Sequence, residues 1–495
     1  VAIGYQSLYY QNPSSNVDMY NTAVGYNAGA GVTTGTQNTF VGGLAGDSMT
    51  TGQGNTGIGM NALTQVTTAG YNTAVGWNAG DALTTGTGLV AVGTNAAGAL
   101  TTGEDSTGIG YQALANKTTA SNNTAVGMNS LFSGGSGSEN TAVGKTSLYS
   151  NTTGVGNIAI GYQSGYYSTT GDYNALVGHN AGLNMTTADQ NTLMGAFAGD
   201  GLTTGSSNVA IGYAALSAED VGQWNVAVGR NALTAQNTAS AANTYNTAVG
   251  GYAGSAISTG TYNTLIGGLA GYNLTVAYNN VVLGYGALQA DLKGHRNTAI
   301  GTNALATQQF GSSTNAYNVA VGFGAGSSIT VGYVNTLIGS LAGDALTEGG
   351  SHTAVGYQSL AATTTASGST AVGHLALAAN TTGIKNVAIG YYAAAANTTG
   401  QRNTVIGYNA FDANQTSNFN TVVGHNALSA QTDGGYNVAV GDSALSLSTT
   451  GSSLVAVGMG ALQNNTTGTY NTAIGQAAGQ GNTTGSSNIS IGVNA

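Results

Sequence analysis

Apolar residues along this chain recur in a fixed frame. A Val, Ile, Leu or Met is followed by a glycine at 29 positions in register, from Ile3-Gly4 to Ile491-Gly492. Of the 28 intervals between these marker glycines, 25 are 17 residues long and three are 21. The consensus is Asn-Thr-Ala-Val-Gly-Tyr-Asn-Ala-Leu-x-x-x-Thr-Thr-Gly-x-x, and positions are given below as offsets from the marker glycine. A period this short, with no helical pattern inside it, predicts one coil of a parallel β-solenoid per repeat. Offset −1 is always aliphatic and offset +3 is always Ala or Ser, so both are read as facing inward. Two short strands per coil are expected, one through Thr-Ala-Val and one through the Ala-Leu region, with room for a third. The marker glycine and the Thr-Thr-Gly corner supply the backbone freedom a narrow coil needs.

Three further regularities refine the coil. Where +4 is Leu, +7 is aliphatic only once, at Val66; where +4 is Gly, +7 is aliphatic in nine of 11 coils. Close packing accounts for the exchange, because one core site would be filled from either side of a corner. Gly165 with Ser168 and Gly479 with Asn482 break the rule and mark coils expected to be weak. Asparagine holds offset −4 in 23 of 28 coils, which predicts a stacked amide ladder, with local turn capping as the alternative. The exceptions Leu89, Ser106, His352, Ser369 and Leu454 are expected to interrupt it in three places. The longer intervals add four residues to one corner, within 10–20, 235–245 and 307–317. Such insertions become surface loops, often on a binding face.

Composition then narrows the function. Only 7 residues are Lys or Arg and 17 are Asp or Glu, a charged fraction of 5% with net charge −10, which offers no electrostatic footprint for nucleic acid. Cysteine is absent, removing disulfides and thiolate chemistry, and no apolar run is long enough to span a bilayer. No catalytic, cofactor-binding or metal-binding residues are expected. His179, His374 and His425 occupy the variable +1 position. His295-Arg296 with Asp291 and Lys293 reads as a charged surface corner, and the acids occur too rarely and at shifting offsets to bind calcium coil by coil. The remaining candidates are surface aromatics: Tyr26, Trp77 and Tyr111 at +1, as part of a ribbon suited to stacking on sugars, and Tyr245, Phe310 and Tyr317 at the loops.

The run Asn-Thr-Ala-Val-Gly-Tyr-Asn-Ala at 21–28, with its variant at 297–305, resembles the head repeats of YadA-like trimeric autotransporter adhesins. It is similar as well to the repeats of bacterial and phage tail-fibre proteins. The resemblance covers essentially the whole chain, and it implies an extracellular, trimeric fibre of parallel β-rolls on a cell or virion surface. The expected architecture is therefore an all-β solenoid rod of about 29 coils over residues 1–495, a single shaft segment of a longer protein. Its expected role is structural, projecting a binding end, with no enzymatic activity, no cofactor and no membrane contact. The partners are sister chains in a homotrimer, brought close at the small Ala of −2, and a surface glycan or host receptor. A glycan-binding flank is the alternative role, with ice binding through the Thr-Thr corner or a carbohydrate-active β-helix further behind.

Overall fold

The computed structural model describes residues 1–13, 17–238, 240 and 242–495. The chain is all-β, a parallel β-solenoid of about 29 coils with a 17-residue period, and the described residues contain no helix. It forms two compact units, Val1–Tyr245 and Asn246–Ala495. The first carries 14 coil strands, from Ala2–Ile3 to Val226–Val228, and the second carries 15, from Thr247–Val249 to Ile489–Ile491. Within each unit the strands pair in parallel without a slip: Thr22, Ala23 and Val24 lie against Thr39, Phe40 and Val41, and Thr336, Leu337 and Ile338 against Thr353, Ala354 and Val355.

Each ordinary coil has one strand rather than two. The Ala-Leu region expected to be a second strand is a continuous turn, because offsets +2 and +4 take left-handed backbone angles, as at Asn61 (φ 59°) and Leu63 (φ 55°). The turn nevertheless bonds between coils: the Leu63 amide donates to the Ala79 carbonyl at 3.1 Å, and the Asn61 amide to the Gly43 carbonyl at 3.0 Å. Accumulating left-handed angles costs about 1–2 kcal/mol per non-glycine residue, so these intercoil bonds must offset it. The marker glycine is obligatory for a separate reason. At Gly25 (φ 142°) a Cβ would sit 2.5 Å from the carbonyl oxygen of Gly42, the marker of the next coil.

The strand direction corrects the expected core. Side chains alternate along a strand, and it is the central residue at −2 that points in: Ala23, Phe40, Leu193 and Leu337 are fully buried. The aliphatics at −1, expected inside, point out; Val41, Ile58, Met194 and Ile338 are exposed. The Ala of −2 is therefore unavailable to a sister chain. The other inward expectation holds, since Ala28, Ala45 and Ala62 at +3 are buried.

The +4/+7 exchange has a direct geometric counterpart. A Cβ added to Gly182 or Gly271 would lie 2.6 Å from the Met185 sulfur and 2.7 Å from Leu274 Cδ1, so the +7 side chain occupies the space the +4 side chain would need. Gly165, expected to leave a weak coil, is filled instead by its neighbours, with Leu176 2.7 Å and Leu148 3.0 Å from its would-be Cβ. In coils where +4 is not glycine, polar side chains at +7 can build a second internal ladder, as in the three coils with Leu377, Ala394 and Phe411 at +4. Asn397 donates to Asn380 Oδ1 at 2.8 Å and Asn414 to Asn397 Oδ1 at 2.7 Å.

The −4 asparagines form the expected ladder and cap turns at the same time. Asn55 Oδ1 accepts the backbone amide of Asn72 at 3.1 Å and its Nδ2 at 3.1 Å, while Asn72 Nδ2 also donates to the Gly86 carbonyl at 3.1 Å. Three of the five exceptions carry the acceptor onward, through Ser106 Oγ to Asn123, His352 Nδ1 to Ser369 and Ser369 Oγ to Asn386. Only Leu89 and Leu454 lack a side-chain acceptor to pass on.

Candidate functional site

The candidate surface is built from ring columns and loops. Because +1 recurs every 17 residues on paired coils, aromatics there are brought about one strand spacing apart. Tyr357, His374, Tyr391, Tyr408 and His425 form an unbroken stack with centroid separations of 5.4, 5.0, 5.0 and 5.5 Å. His425 Nδ1 ends it 3.4 Å from the Asp442 carboxylate. Hydrogen bonds from Ser443 and His425 hold the Asp442 carboxyl below its usual value.

Tyr26 stacks on Tyr5 in the same way, at 5.6 Å and 8°. Trp77 and Tyr111 are exposed but sit two coils apart, with Thr94 at +1 between them. In the five-ring column the stacked rings cover each other's faces, whereas Trp77 and Tyr111 have no ring at the +1 positions beside them, and Tyr26 is followed by Gly43.

A second column, missed in the sequence because +5 is rarely aromatic, runs through Phe132, Tyr149 and Tyr166 at 5.0 and 4.9 Å. The repetition of an aromatic at that offset in three consecutive coils was the available signal.

Two of the loops are anchored by buried carboxylates, Asp291, read from the sequence as part of a charged surface corner, and Glu219. Asp291, at +7 of the coil before the 307–317 insertion, is fully buried. It accepts from Gln308 Nε2 at 2.7 Å, Gly294 N at 3.1 Å and Phe310 N at 3.2 Å. Burial pushes its carboxyl above the usual range despite these donors. Gln308 completes the link by accepting from Asn318 Nδ2 at 2.8 Å.

Glu219 does the same ahead of the 235–245 insertion, accepting from Gln236 Nε2 at 2.8 Å and Thr238 Oγ1 at 2.9 Å. Residues 239 and 241 of that loop, and 14–16 of the loop in 10–20, lie outside the described residues. All three longer coils carry Gln at +7 (Gln11, Gln236, Gln308), a residue found there in one ordinary coil as well, at Gln431.

Phe310, expected as an exposed contact, is 6% exposed; the Asp291 bond to its amide draws it into the coil. Tyr245 and Tyr317 are exposed as expected. Tyr317 belongs to the densest polar cluster. Arg296 donates to its hydroxyl and lies 5.5 Å from its ring, and 5.9 Å from that of Tyr278. Tyr278 stacks on His295 at 3.8 Å, and the loop pairs there as a short ladder, Gly294–His295 with Thr314–Asn315. His295 is buried rather than solvated; desolvation, then the Arg296 charge, lowers its pKa.

The Thr-Thr corner does not present free hydroxyls at its first threonine. Thr33 and Thr50 donate to the carbonyls of Thr50 and Thr67 at 3.1 and 3.0 Å, a use that removes them from an ice-ordering array. Among the described residues no group of three His, Cys, Asp or Glu could hold a metal ion, and no helix is long and apolar enough to cross a membrane. In comparison with known proteins, no family model matches the chain and no curated protein is similar to it.

Proposed function

We propose that the chain is an extracellular structural shaft, of adhesin or tail-fibre type, that projects a binding end from a cell or virion surface. The observation that carries this reading is the unslipped ladder within each unit, where successive coils are tied by strand and turn bonds, joined in most of them by asparagine and Thr side-chain bonds. Force applied along such a stack is shared by many backbone bonds per coil. Uncharged polar side chains keep it hydrated without the 25% charge of an ordinary domain. The resemblance of 21–28 to adhesin head repeats supports the same role. The test is electron microscopy of the intact source with gold-labelled antibody against residues 246–495. Label on projecting filaments is the expected result, and label confined to the cell interior sinks the reading.

A further inference from the structure

We infer that the chain carries a binding site for an organic ammonium ion with a hydrocarbon body, in a groove along the turns of the coils marked by Gly356, Gly373, Gly390 and Gly407. The inference goes beyond the shaft reading and does not depend on it. It starts from a change of composition at two offsets. Positions +5 and +6 are both alanine in three consecutive coils, at 361–362, 378–379 and 395–396, and in no other coil. Many other coils place larger side chains at +5, as at Tyr149, Leu183 and Gln463. Three methyls in a row leave an open groove of about 530 Å³, lined by Ala361, Ala378 and Ala395 together with Leu375 and Tyr392. That volume lies within the range of small-molecule sites. Gln358 stands at one end and Asp412 at the other, three coil spacings or roughly 14 Å apart.

The charge at one end sets the chemistry of the ligand. Asp412 holds +5 in the coil after the alanines and is half-buried. Among the described residues no cation pairs with it. Desolvation raises its pKa, against hydrogen bonds from its own amide and that of Ala413. Asp47, Asp81, Asp200 and Asp344 share the offset and the same desolvation, so burial by itself does not mark a site. Asp412 differs in its surroundings. It lines the alanine groove and also an adjoining hollow of about 320 Å³, shared with Tyr391, Tyr408 and Asn409, and Tyr392 lines both. Tyr392 leans on the ring column rather than joining it, 4.5 Å from Tyr391 at 42°. A carboxylate among tyrosines attracts an organic cation through its charge and the ring quadrupoles together. A hydrocarbon body on that cation covers the alanines as well. An anion would meet both Asp412 and the net charge of −10, and a neutral sugar would bury the carboxylate without compensating it.

Ligand-observed NMR titration of the full chain tests the inference, at about 0.15 M salt so that distant charges are screened. The probes are hexylammonium and hexanol, alike in hydrocarbon and different in charge. Hexylammonium is expected to bind wild type at least about 10-fold more tightly, the size of one charge-assisted contact. Asp412→Asn keeps the shape of the side chain, and Ala378→Leu refills the groove; each is expected to weaken hexylammonium by about the same factor. Asp81→Asn, at the same offset away from the groove, should leave it unchanged. Equal affinity for the two probes, or an Asp412→Asn protein that binds hexylammonium as wild type does, overturns the inference. If Asp412→Asn fails to fold, Ala378→Leu decides in its place, and undiminished binding there overturns it too. Nα-acetyl-lysine methylamide separates two sources of the same chemistry. Binding comparable to that of hexylammonium assigns the site to a lysine side chain of a partner protein, weaker binding assigns it to free amines, and either supports the site.

Discussion

The Nε2 atom of His352 lies 2.6 Å from the carbonyl oxygen of Ala366, the contact an asparagine amide makes at this point of most other coils. The other ring nitrogen, Nδ1, accepts the Ser369 amide at 3.3 Å, so the ladder requires the neutral ring with its proton on Nε2. Burial lowers the His352 pKa below its ordinary value, outweighing the two backbone bonds. A histidine whose folded pKa is depressed stabilises the fold above its unfolded pKa of about 6.5, and that stability is lost as pH falls. Wild type and His352→Asn should therefore have similar melting temperatures at pH 8 and diverge below pH 6.5, with the asparagine variant the more stable. Parallel melting curves at all pH values would contradict this.

Lys117 shows the same linkage with a different group. Its ammonium is fully buried and donates to the Asn151 carbonyl at 2.8 Å, to Asn151 Oδ1 at 3.0 Å and to the Thr152 carbonyl at 3.4 Å. It reaches two coils along the stack, past Gly134, which leaves +7 empty in between. Desolvation lowers its pKa to about 8. The unfolded chain binds this proton up to pH of about 10.4, so wild-type stability should rise between pH 8 and 10. Lys117→Met should be more stable than wild type by about 1–2 kcal/mol at pH 7, with the advantage shrinking by pH 9.5. Urea titrations at the two pH values measure it.

The core exchange is best tested where +7 has no other duty. Gln308 is committed to Asp291 and Asn318, but Ser448 Oγ is buried without a hydrogen-bond partner. Leu445→Gly should cost about 2–4 kcal/mol through the cavity it leaves, reduced by glycine's ease at a φ of 56°. Adding Ser448→Leu should recover much of the loss. A double variant no more stable than the single one would show that the pairing is coincidental.

The period, the +3 core position and the asparagine ladder were legible because each rests on backbone spacing. What misled was the equation of apolar with inward at −1. A three-residue strand lets only one side chain in, and Ala23 or Ala74 takes it while Val24 and Val75 face out. Nothing in single-residue hydrophobicity separates those two cases, since most protein surface is itself apolar. The second strand was misplaced because left-handed Leu63 or Leu114 is invisible in composition. At the loops, the exposed Tyr245 and Tyr317 were readable from position, whereas Phe310, Asp291 and Glu219 were not. Their burial depends on hydrogen bonds across coils.

Marker glycines should be intolerant individually. Gly390→Ala places a methyl 2.3 Å from the Gly407 carbonyl at a φ of 139°, a conformation that alanine avoids, and the backbone of the next coil must shift. A loss of at least about 3 kcal/mol, localised to adjacent coils, is expected. Gly43→Ala, whose added methyl would meet no atom within 4 Å, should be close to neutral. Equal effects from the two changes would remove the steric argument.

The 307–317 loop should depend on Asp291 in a pH-dependent way. Asp291→Ala orphans Gln308 Nε2 and the amides of Gly294 and Phe310, at about 1–3 kcal/mol for each buried donor left unpaired. Part of this is offset because burial holds the carboxyl above its usual pKa, so its anionic form is itself costly. For a carboxyl with a raised folded pKa, stability is complete below the unfolded value near 3.9 and is lost as pH rises through the folded value. The deficit of Asp291→Ala should therefore be larger at pH 4 than at pH 8. Amide hydrogen exchange reads it locally: protection at Phe310 and Gly294 should fall about 10- to 100-fold while that at Val387 and Ile389 is unchanged. Loss of protection in both places would mean that Asp291 supports the whole unit. No loss in either would mean that the loop is held by its Arg296 and His295 contacts instead.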